Sequence, residues 1–188
     1  MTHTTLGQTE YLLHQGGDRL LYIKIGADGS VRGYKDKYLT IADRAAKMGC
    51  SVMIAGNVSS LPPQQNISQD MQVLTDSFPH TKEVYAFGHS LGGYLLACFG
   101  YQYPIIRRIL AINSPLTPYR ELLPTGIAHF QGERMIFLFG GNSPEADHIS
   151  DTFPCQNTRV TYAIIPGADH HFTDMLSTFT DLPFTYLM

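Results

Sequence analysis

Residues 83–103 read EVYAFGHSLGGYLLACFGYQY, and the local structure of that stretch decides how the rest of the chain is organised. Val84–Phe87 is a short run of strand-forming residues. Gly88-His89-Ser90-Leu91-Gly92 then turns, and an apolar helix continues from Gly93. A backbone that turns this tightly crowds the residues two before and two after Ser90 and strains the serine itself. Side chains would clash at those two places, which accounts for Gly88 and Gly92. Gly93 lets the helix lie close on the sheet. The turn also puts Ser90 at a helix N-terminus, where unpaired N–H groups and the helix dipole favour developing negative charge.

Outward from this unit, strands and helices alternate. Tyr11-Leu12-Leu13 and Leu20-Leu21-Tyr22-Ile23 are apolar runs split by Gly16-Gly17-Asp18, which reads as a hairpin turn. Tyr38–Met48 reads as an amphipathic helix with Leu39, Ala42, Ala45 and Ala46 towards a sheet and Gly49 as its stop. Ser51–Ala55 is a buried strand, and Ile67, Met71 and Leu74 mark a helix over 65–77. After the serine turn, strands are expected at 107–112, 134–139 and 159–165, and a short helix at 143–151. Phe172, Met175, Leu176 and Phe179 form one face of a closing helix, while residues 114–132 are mixed and leave room for a small lid at most. The alternation predicts an α/β fold: one domain over 1–188, with a mostly parallel sheet of about 6–7 strands between two helical layers.

Composition bounds the function. The chain has 188 residues, long enough to bury a core, and a formal charge of −3. Without a basic run, neither nucleic acid nor an anionic membrane is an expected partner. The polar start MTHTTLGQTE lacks the apolar core of a signal sequence, so the expected location is cytoplasmic. Cys50, Cys98 and Cys155 are scattered and suggest neither a disulfide framework nor zinc.

Gly-x-Ser-x-Gly between a strand and a helix matches the nucleophile elbow. With Gly88-His89-Ser90-Leu91-Gly92-Gly93 the chain resembles the α/β-hydrolase family, among whose commonest elbow sequences this is. The resemblance implies that Ser90 is a nucleophile, that an acid and then a histidine follow it along the chain, and that a small acyl ester, thioester or amide is hydrolysed without a metal or organic cofactor. The base belongs after the last strand. There Pro166-Gly167-Ala168-Asp169-His170-His171-Phe172 is similar to the family's Gly-x-x-His-aromatic segment and points to His170, with His171 as the alternative. The family's acid follows the penultimate strand, where Asp147 resembles it. Glu145 and Asp151 are the alternatives, Glu145 being explained locally as a first-turn acid after Ser143-Pro144. The oxyanion donors would be the amides of Leu91 and Ala27. Ile25-Gly26-Ala27 departs from the His-Gly that family members often carry there.

Two other readings belong to different classes. A hydrolase-like binding protein would share the fold without turnover. A metal site from His148, Asp169, His170 and His171 is disfavoured, because adjacent residues rarely direct two ligands to one ion. Lacking a cap, the site should be shallow and prefer short acyl chains. Oligomeric state and pathway are not encoded in these patterns.

Overall fold

Side-chain alternation along the strands sorts the apolar residues into two layers. Leu20, Tyr22, Ile109, Ala111, Met135 and Phe137 pack on one face of the sheet, and Leu21, Ile23, Leu110, Ile112, Ile136 and Leu138 on the other. A computed structural model describes residues 1–27, 29–116, 121–149 and 159–188. Its strands are β1 (Thr2–Leu6), β2 (Thr9–His14), β3 (Arg19–Lys24), β4 (Ser51–Ala55), β5 (Glu83–His89), β6 (Ile106–Ile112), β7 (Arg134–Gly140) and β8 (Val160–Ile165). The helices are α1 (Lys37–Lys47), α2 (Pro63–Ser77), α3 (Leu91–Phe99), α4 (Leu122–His129) and α5 (Leu176–Tyr186). The first face is covered by α2, α3 and α4 through Ile67, Leu74, Leu95, Leu96 and Leu123. The second is covered by α1 and α5 through Ile41, Ala42, Ala45, Phe179 and Leu182. This is the expected three-layer α/β arrangement.

The sheet has eight strands in the order β1-β2-β4-β3-β5-β6-β7-β8. Pairing is parallel from β4 across to β8 and antiparallel at β1–β2 and β2–β4. The extra strand is β1, a mostly exposed edge strand whose residues THTTL carry no apolar alternation. Its stabilisation comes from pairing with β2, which is invisible to a search for buried runs.

The expected hairpin at Gly16-Gly17-Asp18 does not form. β4 lies between β2 and β3, so the turn spans a strand instead of joining neighbours. The glycines are needed for a different reason: a Cβ on Gly16 would overlap the Cys50 carbonyl, and one on Gly17 would lie 2.8 Å from Gly49 O, which Gly17 N–H bonds. Ser51 Oγ closes the crossing, accepting from Gly16 N and donating to Gly17 O.

One buried ion pair ties the central strands to α2. Lys24 and Asp70 are fully buried, with Nζ 2.6 Å from Oδ2. Tyr11 and Tyr22 hydroxyls also donate to Asp70, and Lys24 donates to Gly56 O. Both Asp70 oxygens are engaged and the Lys24 ammonium has an acidic and a carbonyl partner, the kind of pairing under which a buried charge is tolerated. Removing one partner alone would cost about 3–5 kcal/mol. Among the described residues no helix is long and apolar enough to cross a membrane.

Candidate active site

Functional side chains gather where the parallel strands end. β5 runs into Ser90, whose backbone has φ 54° and ψ −126°, a conformation that non-glycine residues seldom adopt. Three glycines permit it. A Cβ on Gly88 would lie 2.5 Å from the backbone of Gly93, and one on Gly92 would overlap the carbonyls of Lys24 and Ile25. Gly93 packs against Ser114 and Gly88 in the same way. Ser90 N–H bonds Ile112 O at 2.7 Å, so the turn is anchored to β6.

The histidine loop arrives from β8. His170 Nε2 lies 3.1 Å from Ser90 Oγ, and His170 Nδ1 lies 3.2 Å from Glu145 Oε2. A carboxylate only accepts, so Nδ1 carries the hydrogen and Nε2 is left to accept from the serine hydroxyl. Ser143 Oγ donates to the same Glu145 oxygen. Burial pushes the Glu145 carboxyl up, but the hydrogen bonds from His170 and Ser143 outweigh it and hold the group at about 2. Glu145 is therefore ionised at any neutral pH. Hydroxyl, imidazole and carboxylate in line can move a proton off the serine while the carboxylate stabilises the imidazolium formed.

The sequence expectation for the acid is corrected here. Asp147 is exposed and makes no contact with His170; the carboxylate at the imidazole is Glu145. The segment Pro144–His148 is a 3₁₀ turn whose Ser143 makes no side-chain cap bond. Its tighter winding turns Glu145 inward and Asp147 to solvent. Asp151, the third alternative, lies outside the described residues. His171 is exposed and not at the serine, so of the two adjacent histidines His170 is the one that meets Ser90.

Two residues hold the histidine loop without having been expected to. Asn113 has φ 45°, a conformation asparagine tolerates better than most side chains, and follows β6 directly. Its Nδ2 donates to His170 O at 2.9 Å and Asp169 O at 3.2 Å, while its Oδ1 accepts from Gly140 N at 2.7 Å. His89 is buried and borders the cleft beside Ser90. Its Nε2–H donates to His170 O at 2.9 Å, which leaves Nδ1 to accept from the Tyr38 hydroxyl at 3.0 Å. Burial drives the His89 ring well below the usual imidazole range, so it is neutral and acts as a fixed strut.

Beside Ser90 lies a cleft of about 410 Å³, lined among others by Gly26, Ala27, Tyr34, Lys37 and His171. Leu91 opens α3, where the first N–H groups have no acceptor within the helix, and Ala27 borders the same cleft on the loop after β3. Asn57 Nδ2 donates to the carbonyls of Ile25 and Gly26 and steadies that loop. Ring nitrogens of His89, His170 and His171 come within 4.8 Å of one another, a spacing that could hold a metal ion. Both nitrogens of His89 and of His170 are already engaged, so an ion there would have to break the line to Ser90.

The chain has the α/β-hydrolase fold. Among solved structures it is similar to a dienelactone hydrolase from Anabaena variabilis, at 17% identity with a TM-score of 0.70, covering 100% of this chain and 97% of that one. It is also similar to Est1E from Butyrivibrio proteoclasticus, at 11% identity and TM-score 0.73, covering 96% and 94%. A third likeness is to an α/β serine hydrolase without a lid from Xanthomonas campestris, at 14% identity and TM-score 0.67, covering 94% and 86%. Neither a protein-family model nor a curated protein matches the sequence. At these identities the likeness is one of fold, and the chemistry must be argued from the residues above.

Proposed function

We propose that this chain is a serine hydrolase of short acyl esters or thioesters, with Ser90 as nucleophile, His170 as general base and acid, and Glu145 as the group that orients the histidine. The observation that carries the reading is the unbroken line from Ser90 Oγ to His170 to Glu145, at 3.1 and 3.2 Å, on a strained turn at a helix N-terminus. His170 Nε2 takes the serine proton as Oγ bonds to the acyl carbon. The carbonyl oxygen becomes an oxyanion facing the amides of Leu91 and Ala27. As the ester C–O bond breaks, His170 returns the proton to the leaving oxygen, or to sulfur in a thioester. Water, deprotonated by the same nitrogen, then attacks the acyl-enzyme and frees the acid and Ser90. Every proton and electron pair in the cycle is supplied by these residues and water.

The cleft of about 410 Å³ supports a small acyl substrate. The test is initial-rate measurement on p-nitrophenyl esters from acetate to dodecanoate. Turnover should be greatest at the short end and absent in His170→Ala. Preference for dodecanoate would overturn the size assignment, and a wild-type rate in His170→Ala would overturn the role of the histidine.

A further inference from the structure

Two lysines are almost fully buried, and only one has a counter-ion. Lys24 lies against Asp70, whereas Lys37, 4% exposed, makes no ion pair with any described carboxylate. Lys37 is the first residue of α1 and follows two non-glycine residues in the left-handed region, Lys35 at φ 50° and Asp36 at φ 57°. Gly33, at φ 73°, leaves space against the Tyr38 ring that a Cβ would fill, 2.5 Å from Cδ2. This costly backbone path delivers the lysine into the wall of the cleft that Ser90 borders. There its Nζ donates to His171 O at a long 3.3 Å and sits 4.1 Å from the centre of the Phe179 ring. The faces of Phe179 and, at 5.4 Å, Tyr38 stabilise the cation in part, but an ammonium has three N–H groups, and one long bond with no described carboxylate beside it leaves the charge without a full partner.

We propose that Lys37 is the anion-recognition residue of the cleft, and that the acyl ester taken by this site carries a carboxylate or phosphate group held by the Lys37 ammonium. The inference rests on the hydrolase reading for its ester and on Lys37 alone for its anion. Burial brings Lys37 down to about 8, opposed by the attraction of Asp169, so at neutral pH it is charged yet poorly solvated. The titratable groups around it are Asp169, His170 and His171 on the histidine loop, His89 beneath, and Tyr38 on α1; α5 presents the apolar Phe179. Asp169 is occupied by the amides of His171 and Thr173, so the anion that completes the site comes from a ligand.

The experiment compares p-nitrophenyl hydrogen adipate and p-nitrophenyl 5-phosphonopentanoate with neutral p-nitrophenyl hexanoate, in wild type, Lys37→Met and Lys37→Arg. Wild type should favour at least one anionic ester by about tenfold or more in kcat/KM, mostly through KM, as expected for one charge-assisted hydrogen bond. The favoured arm separates carboxylate from phosphate. The anionic-to-neutral ratio should collapse in Lys37→Met, recover partly in Lys37→Arg, and decline as pH rises past about 8. In this ratio the titration of the histidines cancels. If anionic and neutral rates fall together in Lys37→Met, the lysine only anchors His171 and the proposal is overturned. Calorimetry with adipate and with inorganic phosphate tests binding without turnover. Binding to wild type that weakens at least tenfold in Lys37→Met supports the proposal even if no ester is cleaved, and binding of neither anion overturns it even if hexanoate is.

Discussion

The serine turn and the histidine loop meet at two hydrogen bonds, Ser90 to the His170 ring and His89 to the His170 carbonyl, yet opposite means hold them. The turn is fixed by steric exclusion: Gly88, Gly92 and Gly93 sit where any side chain would overlap the backbone of β3, α3 or one another. The loop is fixed by hydrogen bonds that converge on two carbonyls, from Asn113 to Asp169 O and His170 O and from His89 to His170 O, with Glu145 on the ring. Each steric contact is against backbone or a packed neighbour that cannot step aside, so it tolerates no substitution. The hydrogen bonds reach across 25 to 81 residues and can be removed one at a time. The turn should therefore fail as a unit and the loop by degrees.

Gly92→Ala gives the largest expected effect. Its methyl would press on the carbonyls of Lys24 and Ile25, which are backbone and cannot step aside. The loss should be about 4 kcal/mol or more, in the range reserved for severe packing errors. That corresponds to a fall in Tm of roughly 8 °C or more for a chain of this size, or to insoluble protein. A wild-type Tm would mean that sterics does not govern the turn.

Glu145→Gln comes next and should spare the fold. An amide can donate to Nδ1 and favour the wrong imidazole tautomer, so kcat should drop by about 10² to 10⁴. The same variant checks the linkage. Glu145 titrates at about 2 when folded against 4.5 when free, so its stabilising contribution is complete above 4.5 and disappears as pH falls towards 2. The Tm difference between wild type and Glu145→Gln should close over that window and stay constant above it.

Asn113 distinguishes position from chemistry. Asn113→Gly keeps the positive φ but removes the bonds to Asp169, His170 and Gly140. It should lower kcat by about tenfold to a hundredfold, as a misplaced base does, with stability reduced by about 1–3 kcal/mol. Asn113→Ala adds backbone strain and should be less stable than Asn113→Gly, reversing the usual order of these two residues. Asp147→Asn is the smallest effect: exposed and without a hydrogen bond or ion pair to the imidazole, it should leave kcat within about twofold. A loss comparable to that of Glu145→Gln would restore Asp147 to the site.

These two regions also mark what the sequence could reveal. The elbow was legible because glycine spacing, strand residues and an apolar helix are local signals. That His170 would lie beside Ser90 was legible from its place after the last strand. The carboxylate at its ring was not, since an ordinary helix start explains Ser143-Pro144-Glu145 equally well, and only the 3₁₀ winding of Pro144–His148 shows which carboxylate turns inward. Asn113 left a weaker trace, an asparagine at a strand end where left-handed backbone is tolerated, but its partners lie 56 and 57 residues away. The buried role of His89 depends on Tyr38, from another element altogether. At the other edge, β1 was missed because its exposed threonines show no burial pattern, and the expected hairpin failed because strand order is set by long-range pairing.

The most direct measurement is labelling by a fluorophosphonate probe, which needs an activated serine but no knowledge of the substrate. Wild-type protein should gain one covalent adduct, located on the peptide that contains Ser90, and Ser90→Ala should gain none while keeping the wild-type Tm. Labelling of Ser90→Ala at the wild-type rate, or no labelling of folded wild type under conditions that label an authentic serine hydrolase, would contradict the assignment of Ser90 as the nucleophile.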